Sequence, residues 1–114
     1  MTDIPQSEFP RQGSRVVMRV PVEVRAIHAD GTALEESTHT GVVGSLGAMV
    51  LLSRELPIGR EVQLTNRFSQ QTASFRVAWV RQQGDGDVWE TGIESLRPLD
   101  GFWGVRFPPK ADNS

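Results

Sequence analysis

Residues 16–27 read VVMRVPVEVRAI, and their alternation decides the fold. One parity carries Val16, Met18, Val20, Val22, Val24 and Ala26; the other carries Val17, Arg19, Pro21, Glu23, Arg25 and Ile27. Successive Cβ atoms of an extended chain point to opposite faces, so this is a long strand with one face in a core and the other in water. A helix would need its apolar residues three and four apart. Pro21 falls on the polar parity and has no N–H to give a ladder, which predicts an edge or a bulge at that point.

Downstream, Asp30-Gly31 is a turn signal, and Ala33–Val43 is rich in Thr, Ser and Val, so the two segments read as a hairpin. After Gly44-Ser45-Leu46-Gly47-Ala48, the run Met49–Leu52 predicts a short strand buried on both faces. Pro57 and Gly59 break the chain before the alternating Glu61–Thr65, and Asn66–Gln71 reads as a polar turn. Ala73–Arg81 alternates again, with Phe75, Val77 and Trp79 on one parity. Gly84-Asp85-Gly86-Asp87 turns the chain into a last strand, Val88–Glu94. Trp79 and Trp89, within strand patterns, are expected in the core. Turn signals about every ten residues predict a closed antiparallel barrel or a sandwich. No apolar stripe at helical spacing persists for three turns, so helix is confined to a short turn around Leu99–Trp103.

The chain's 114 residues make one domain. With 38% hydrophobic and 23% charged residues it is globular rather than disordered. The absence of cysteine excludes disulfides, thiolate metal sites and cysteine nucleophiles. No apolar run approaches the roughly 20 residues that span a bilayer. The start, MTDIPQSEFP, has neither the basic nor the apolar region of a signal peptide. Cytoplasmic residence without membrane insertion is the expectation. A net charge of −2 argues against a partner that is a nucleic acid polymer. Of 12 basic residues all but Lys110 are Arg. Arg suits bidentate recognition of phosphate and guanine, although codon usage in a GC-rich genome produces the same bias.

Little here supports catalysis. His28 and His39 are the sole histidines, and there is no Tyr or Cys to share acid–base or nucleophilic work. Glu35, Glu36 and His39 would make half a metal site on a helix. On a strand, residues four apart lie about 13 Å from each other, so these form a solvated polar face. The Gly84–Asp87 turn lacks the spaced carboxylates of a calcium loop. No catalytic residue, metal or cofactor is expected. The informative pair is Arg11 and Arg15, in RQGSR just before the long strand. Two guanidiniums on an arm at a barrel rim could clamp a dinucleotide, each bonding a phosphate or the O6/N7 edge of guanine. Spacing by itself is a weak signal, since Arg15 and Arg19 repeat it.

The order of these features is more specific than any one of them. An Arg11-x-x-x-Arg15 arm precedes Val16-x-Met18-Arg19-Val20-Pro21-Val22, and Gly47-Ala48 leads into an apolar strand. Leu56-Pro57-Ile58-Gly59, Val77-Ala78-Trp79-Val80 and Gly92-Ile93-Glu94 follow. Over residues 10–98 this succession resembles the PilZ domain family, bacterial receptors for the second messenger cyclic di-GMP. The resemblance implies an all-β fold, a six-stranded antiparallel barrel at residues 10–109, with a flexible arm at 1–9 and a disordered tail at 110–114. It also implies a non-enzymatic signalling receptor or adaptor whose ligand is cyclic di-GMP and whose output passes to a partner protein.

By motif position, the family's two arm arginines fall on Arg11 and Arg15. Its second motif, Asp/Asn-x-Ser-x-x-Gly, falls on Val42, Gly44 and Gly47, where only the glycine is kept. Val42 has no acceptor for guanine N–H groups and Gly44 has no hydroxyl. Ser45 is one residue out of register, which on a strand is the opposite face. Two or three missing hydrogen bonds imply an affinity lowered by tens- to about a thousandfold. The other reading is an interaction module that ignores nucleotides and meets a partner through the barrel face or the tail. In that tail Phe102, Trp103 and Phe107 either cap the barrel or form an exposed aromatic patch.

Overall fold

A computed structural model describes residues 15–27, 31–97, 99 and 101–104. Seven strands run β1 (Arg15–Val17), β2 (Pro21–Ile27), β3 (Ala33–Gly44), β4 (Gly47–Leu52), β5 (Glu61–Asn66), β6 (Thr72–Gln83) and β7 (Val88–Ser95). All pairings are antiparallel. The order β3-β2-β5-β6-β7-β4 closes on itself through β3–β4, making a six-stranded barrel, and β1 adds to the β2 side of β3. No helix occurs among the described residues, and none is long and apolar enough to cross a membrane.

The alternation read from residues 16–27 holds from Val20 onward. Val20, Val22, Val24 and Ala26 are buried while Arg25 and Ile27 are exposed. Inward residues of the other strands complete the core, among them Val43, Val50, Leu64, Phe75, Val77 and Ile93.

The long strand expected over 16–27 is broken in two. Val17 pairs with Val42 and Pro21 with His39, so the three residues between them on one strand face two on the other. That is a bulge, and Pro21 sits at its end. A bulge strands backbone groups that the ladder would otherwise pair. Here Thr40, 1% exposed, supplies the missing partners. Its hydroxyl accepts from Val20 N–H at 2.9 Å and donates to the Met18 carbonyl at 2.7 Å. Thr40→Val keeps the shape but leaves both groups unsatisfied. Each such group costs about 1–3 kcal/mol, so urea unfolding of this variant should show a loss of about 2–4 kcal/mol.

Two further expectations are corrected. Met49–Leu52 is not buried on both faces: Ala48, Val50 and Leu52 point inward, while Met49 and Leu51 are half-buried on the outside. The short turn expected near Leu99–Trp103 is hydrogen-bonded, with Phe102 N–H on Leu99 O at 3.4 Å and Gly104 N–H on Gly101 O at 3.1 Å. These turns carry Phe102 and Trp103 into the barrel end, both buried. Phe102 meets Phe75 edge-on at 6.0 Å and Trp103 at 4.8 Å. Trp103 Nε1–H donates to Gly44 O at 3.1 Å. Asn66, expected in a polar turn, instead ends β5 and is buried. Its Nδ2 donates to Phe102 O at 2.7 Å while its Oδ1 accepts from Phe68 N–H at 2.9 Å. The cap is therefore held by hydrogen bonds as well as by ring packing, and of the two roles open to Phe102 and Trp103 capping is the one observed. Phe107, His28 and the arm and tail segments 1–9 and 110–114 lie outside the described residues.

Candidate functional site

Outward-facing residues of β1 and β3 make the candidate site. Arg15 lies opposite Gly44, and Val17 opposite Val42. Because Val43 is buried between the latter two, Val42 and Gly44 belong to the outer side of the sheet, and Arg15 and Val17 share it. Two of the three second-motif positions, Val42 and Gly44, and one of the two predicted arginines thus meet across a single pair of strands. Arg11 lies outside the described residues.

Arg19 joins this face. It stands in the bulge between buried Val20 and half-buried Met18, and its Nη2 donates to His39 Nε2 at 2.9 Å. The other ring nitrogen of His39 lies 3.1 Å from the Thr40 carbonyl. An imidazole that accepts at Nε2 and donates at Nδ1 is neutral, so this contact orients the guanidinium without cancelling its charge. Arg15 and Arg19 consequently flank the Val17–Val42 pair. In the sequence the Arg15–Arg19 spacing looked like a chance repeat. The signal that could have singled it out is parity, since Arg19 lies on the same outward parity as Arg15 and Val17.

Gly47 opens β4 opposite Glu94. A Cβ there would stand 2.1 Å from the Ile93 carbonyl oxygen and 3.0 Å from the Glu94 Cα, so the approach of β7 requires glycine. Gly44 is buried, and its carbonyl is taken by Trp103.

Beyond Val42 the outer face stays apolar. Val42 pairs with Met49, Met49 with Gly92, and Gly92 with Trp79. Trp79 was expected in the core. Between Val77 and Trp79 the β6–β7 register shifts, Val80 takes the inward place against the core, and Trp79 turns outward, half-buried. Its indole lies directly on Gly92, where a Cβ would come within 2.0 Å of Nε1. That nitrogen is buried and has no hydrogen-bond partner. Arg81, bonded to Glu90 at 2.7 Å, sits 5.7 Å from the ring centroid. Trp89 keeps the inward parity but is only half-buried.

The remaining polar candidates are occupied by one another. Glu35 pairs with Arg25 at 3.0 Å, and Glu36 accepts from the Ser53 N–H and hydroxyl, both at 3.0 Å. Among the described residues no group of His, Asp and Glu is placed to hold a metal. A cavity of about 550 Å³ is lined by Arg25, Ala26, Ile27, Arg60, Glu61 and Gln63, none of them a residue of the arginine face.

No family model matches the chain, and no curated protein does. Among solved structures it is similar to the Bacillus subtilis inhibitor of motility MotI/DgrA, with a TM-score of 0.65 at 13% identity. The match covers 83% of this chain and 48% of the neighbour, so the chain spans about half the length of that protein. The shared fold makes this barrel PilZ-like.

Proposed function

We propose that the chain is a PilZ-type receptor or adaptor domain that takes cyclic di-GMP on the outer face of β1 and β3, at reduced affinity. The observation that carries this reading is the register of β1 on β3, with Arg15 opposite Gly44 and Val17 opposite Val42. It brings Arg15 and the motif positions Val42 and Gly44 to one surface, which Arg19 joins through His39, an arrangement that suits a two-sided grip on a dinucleotide. Arg15 and Arg19 supply the forked donors for phosphate and guanine, and Arg11 on the preceding arm is the third candidate. Gly47 is the retained member of the second motif. With Val42 and Gly44 in place of an acid or amide and a serine, the guanine edge finds fewer partners, and the affinity falls accordingly. The neighbour's name, an inhibitor of motility, is in keeping with a regulatory module that acts through a partner protein.

Calorimetric titration with cyclic di-GMP tests this. Wild type should bind, and Arg15→Ala and Arg19→Ala should each weaken binding about tenfold or more, the loss of one charge-assisted contact. Heat from the titration that survives both substitutions would place the ligand elsewhere. An absence of binding by wild type and by the restored site described in the Discussion would leave the nucleotide-blind interaction module.

A further inference from the structure

We infer that the cavity at the start of β5 binds a small zwitterion of the amino-acid class, one that joins a carboxylate, an ammonium and an aliphatic side chain. This inference stands apart from the nucleotide reading, because the cavity shares no residue with the arginine face. Its volume of about 550 Å³ is within the range of small-molecule sites. It follows the β2–β5 seam, where Arg25 pairs with Gln63 and Ala26 with Val62. Carried one step further, that register sets Ile27 beside Glu61. Ala26 and Val62 are buried in the core, so Arg25, Ile27, Glu61 and Gln63 point outward.

Arg60 stands just ahead of β5 and is fixed along its length. Its N–H donates to Pro57 O at 3.1 Å, its carbonyl accepts from Val77 N–H at 2.9 Å, and its guanidinium donates to the Ile27 carbonyl. Holding the backbone and the head of the side chain together leaves the guanidinium little freedom to lose on binding.

The ligand's chemistry follows from which charges of the cavity are already met. Arg25 pairs with Glu35 at 3.0 Å, so those two offset each other. The partner of the Arg60 guanidinium is a neutral carbonyl, and among the described residues no carboxylate meets it. Glu61 is exposed and stands opposite Arg76 on β6, yet it makes no ion pair among the described residues. A fixed guanidinium and a bare carboxylate on consecutive residues oppose a simple anion and a simple cation alike, since whatever one attracts the other repels. A zwitterion satisfies both. Its carboxylate takes the remaining donors of Arg60, and its ammonium takes Glu61. Ile27, 61% exposed, offers apolar surface to an aliphatic side chain, and the Gln63 amide supplies a further donor and acceptor.

The experiment uses the full chain, labelled with nitrogen-15, at about pH 6.5, below the α-amino range. Four compounds are compared: L-leucine; leucinamide, which lacks the carboxylate; 4-methylpentanoate, which lacks the ammonium; and glycine, which lacks the side chain. L-Leucine at millimolar concentration should shift the amides of residues 25–27 and 60–63, and each of the others should bind about tenfold or more weakly. Glu61→Gln removes a carboxylate that the barrel does not use, so the fold should stay while affinity for leucine drops about tenfold or more and that for 4-methylpentanoate does not fall. Glu61→Lys should reverse the order, with 4-methylpentanoate bound better than leucine. Arg60→Gln should abolish the advantage of leucine over leucinamide; should that variant not fold, the comparison of the two compounds on wild type carries the same test. Equal binding of leucine and leucinamide, shifts centred elsewhere on the barrel, or no response to leucine would each overturn the inference. Sodium phosphate shifting the same amides as strongly as leucine would overturn it too, in favour of a plain anion site. None of these results depends on whether cyclic di-GMP binds.

Discussion

Gly47→Ala should lower the stability of the chain by about 3 kcal/mol or more, a fall of about 10 °C or more in Tm for a domain of this size. The methyl group would be built 2.1 Å from the Ile93 carbonyl oxygen and 3.0 Å from the Glu94 Cα. Both are backbone atoms of a paired strand, so no side chain can swing aside to make room. To relieve the clash β4 must separate from β7, and there the turn before β4 is tied down: Leu46 O accepts both the Ser95 N–H at 2.8 Å and the Ser95 hydroxyl at 3.1 Å. Differential scanning calorimetry checks the size of the effect. A Tm within about 2 °C of wild type would mean that β7 yields at far less cost than its pairing implies. Gly92→Ala offers the contrast. The atoms nearest its Cβ belong to the Trp79 indole, a side chain rather than backbone, so its cost should be the smaller.

The second large effect is a gain. Val42→Asp with Gly44→Ser restores an acceptor and a hydroxyl on the face that Arg15 and Arg19 share. Two regained hydrogen bonds, one of them charge-assisted, should raise affinity for cyclic di-GMP by about 2–4 kcal/mol, roughly 30- to 1,000-fold. The gain should disappear when Arg15 and Arg19 are both changed to Ala. Without ligand the same variant should be slightly less stable, because the new carboxylate replaces Val42 in the apolar row between Val17 and Met49. Calorimetry on the four combinations separates the outcomes. An affinity that does not change on restoration would show that the missing motif side chains are not what limits binding.

The architecture was legible because most strands obey a two-residue period and most turns announce themselves with Gly, Asp or Pro. What the period could not reveal were the bulges. Phe75, Val77 and Trp79 continue one parity without a flaw, yet Trp79 leaves the core because the inserted residue exchanges it for Val80. The clue lay across the sheet, in Gly92 within a strand, where a close approach was to be suspected. The site was legible to the same degree. Arg15 and the positions Val42 and Gly44 came from motif spacing, and the register brings them together. Arg19, although on the outward parity, was passed over because its spacing from Arg15 carries little weight alone and the His39 contact that places it on this face joins residues far apart in the chain. A pattern of residues carries parity; it does not carry the places where parity is reset.

The closure of the barrel has a kinetic consequence. Its six strands are two consecutive meanders, β2-β3-β4 and β5-β6-β7, each built from short-range hairpins, and they meet only along the β2–β5 and β4–β7 seams. Neither half has a second layer to cover its inner face, so neither is a folding unit. Hairpins form in microseconds, whereas the seams must join residues such as Gly47 and Glu94 that are far apart in the chain. The slow step of refolding should therefore be the joining of the two meanders along these seams. Seam substitutions should act mainly on the unfolding limb of a chevron plot, and substitutions inside a hairpin on the folding limb. During synthesis the first half waits with an open apolar face until β7 has been made, which is the interval in which this small protein is most exposed to aggregation.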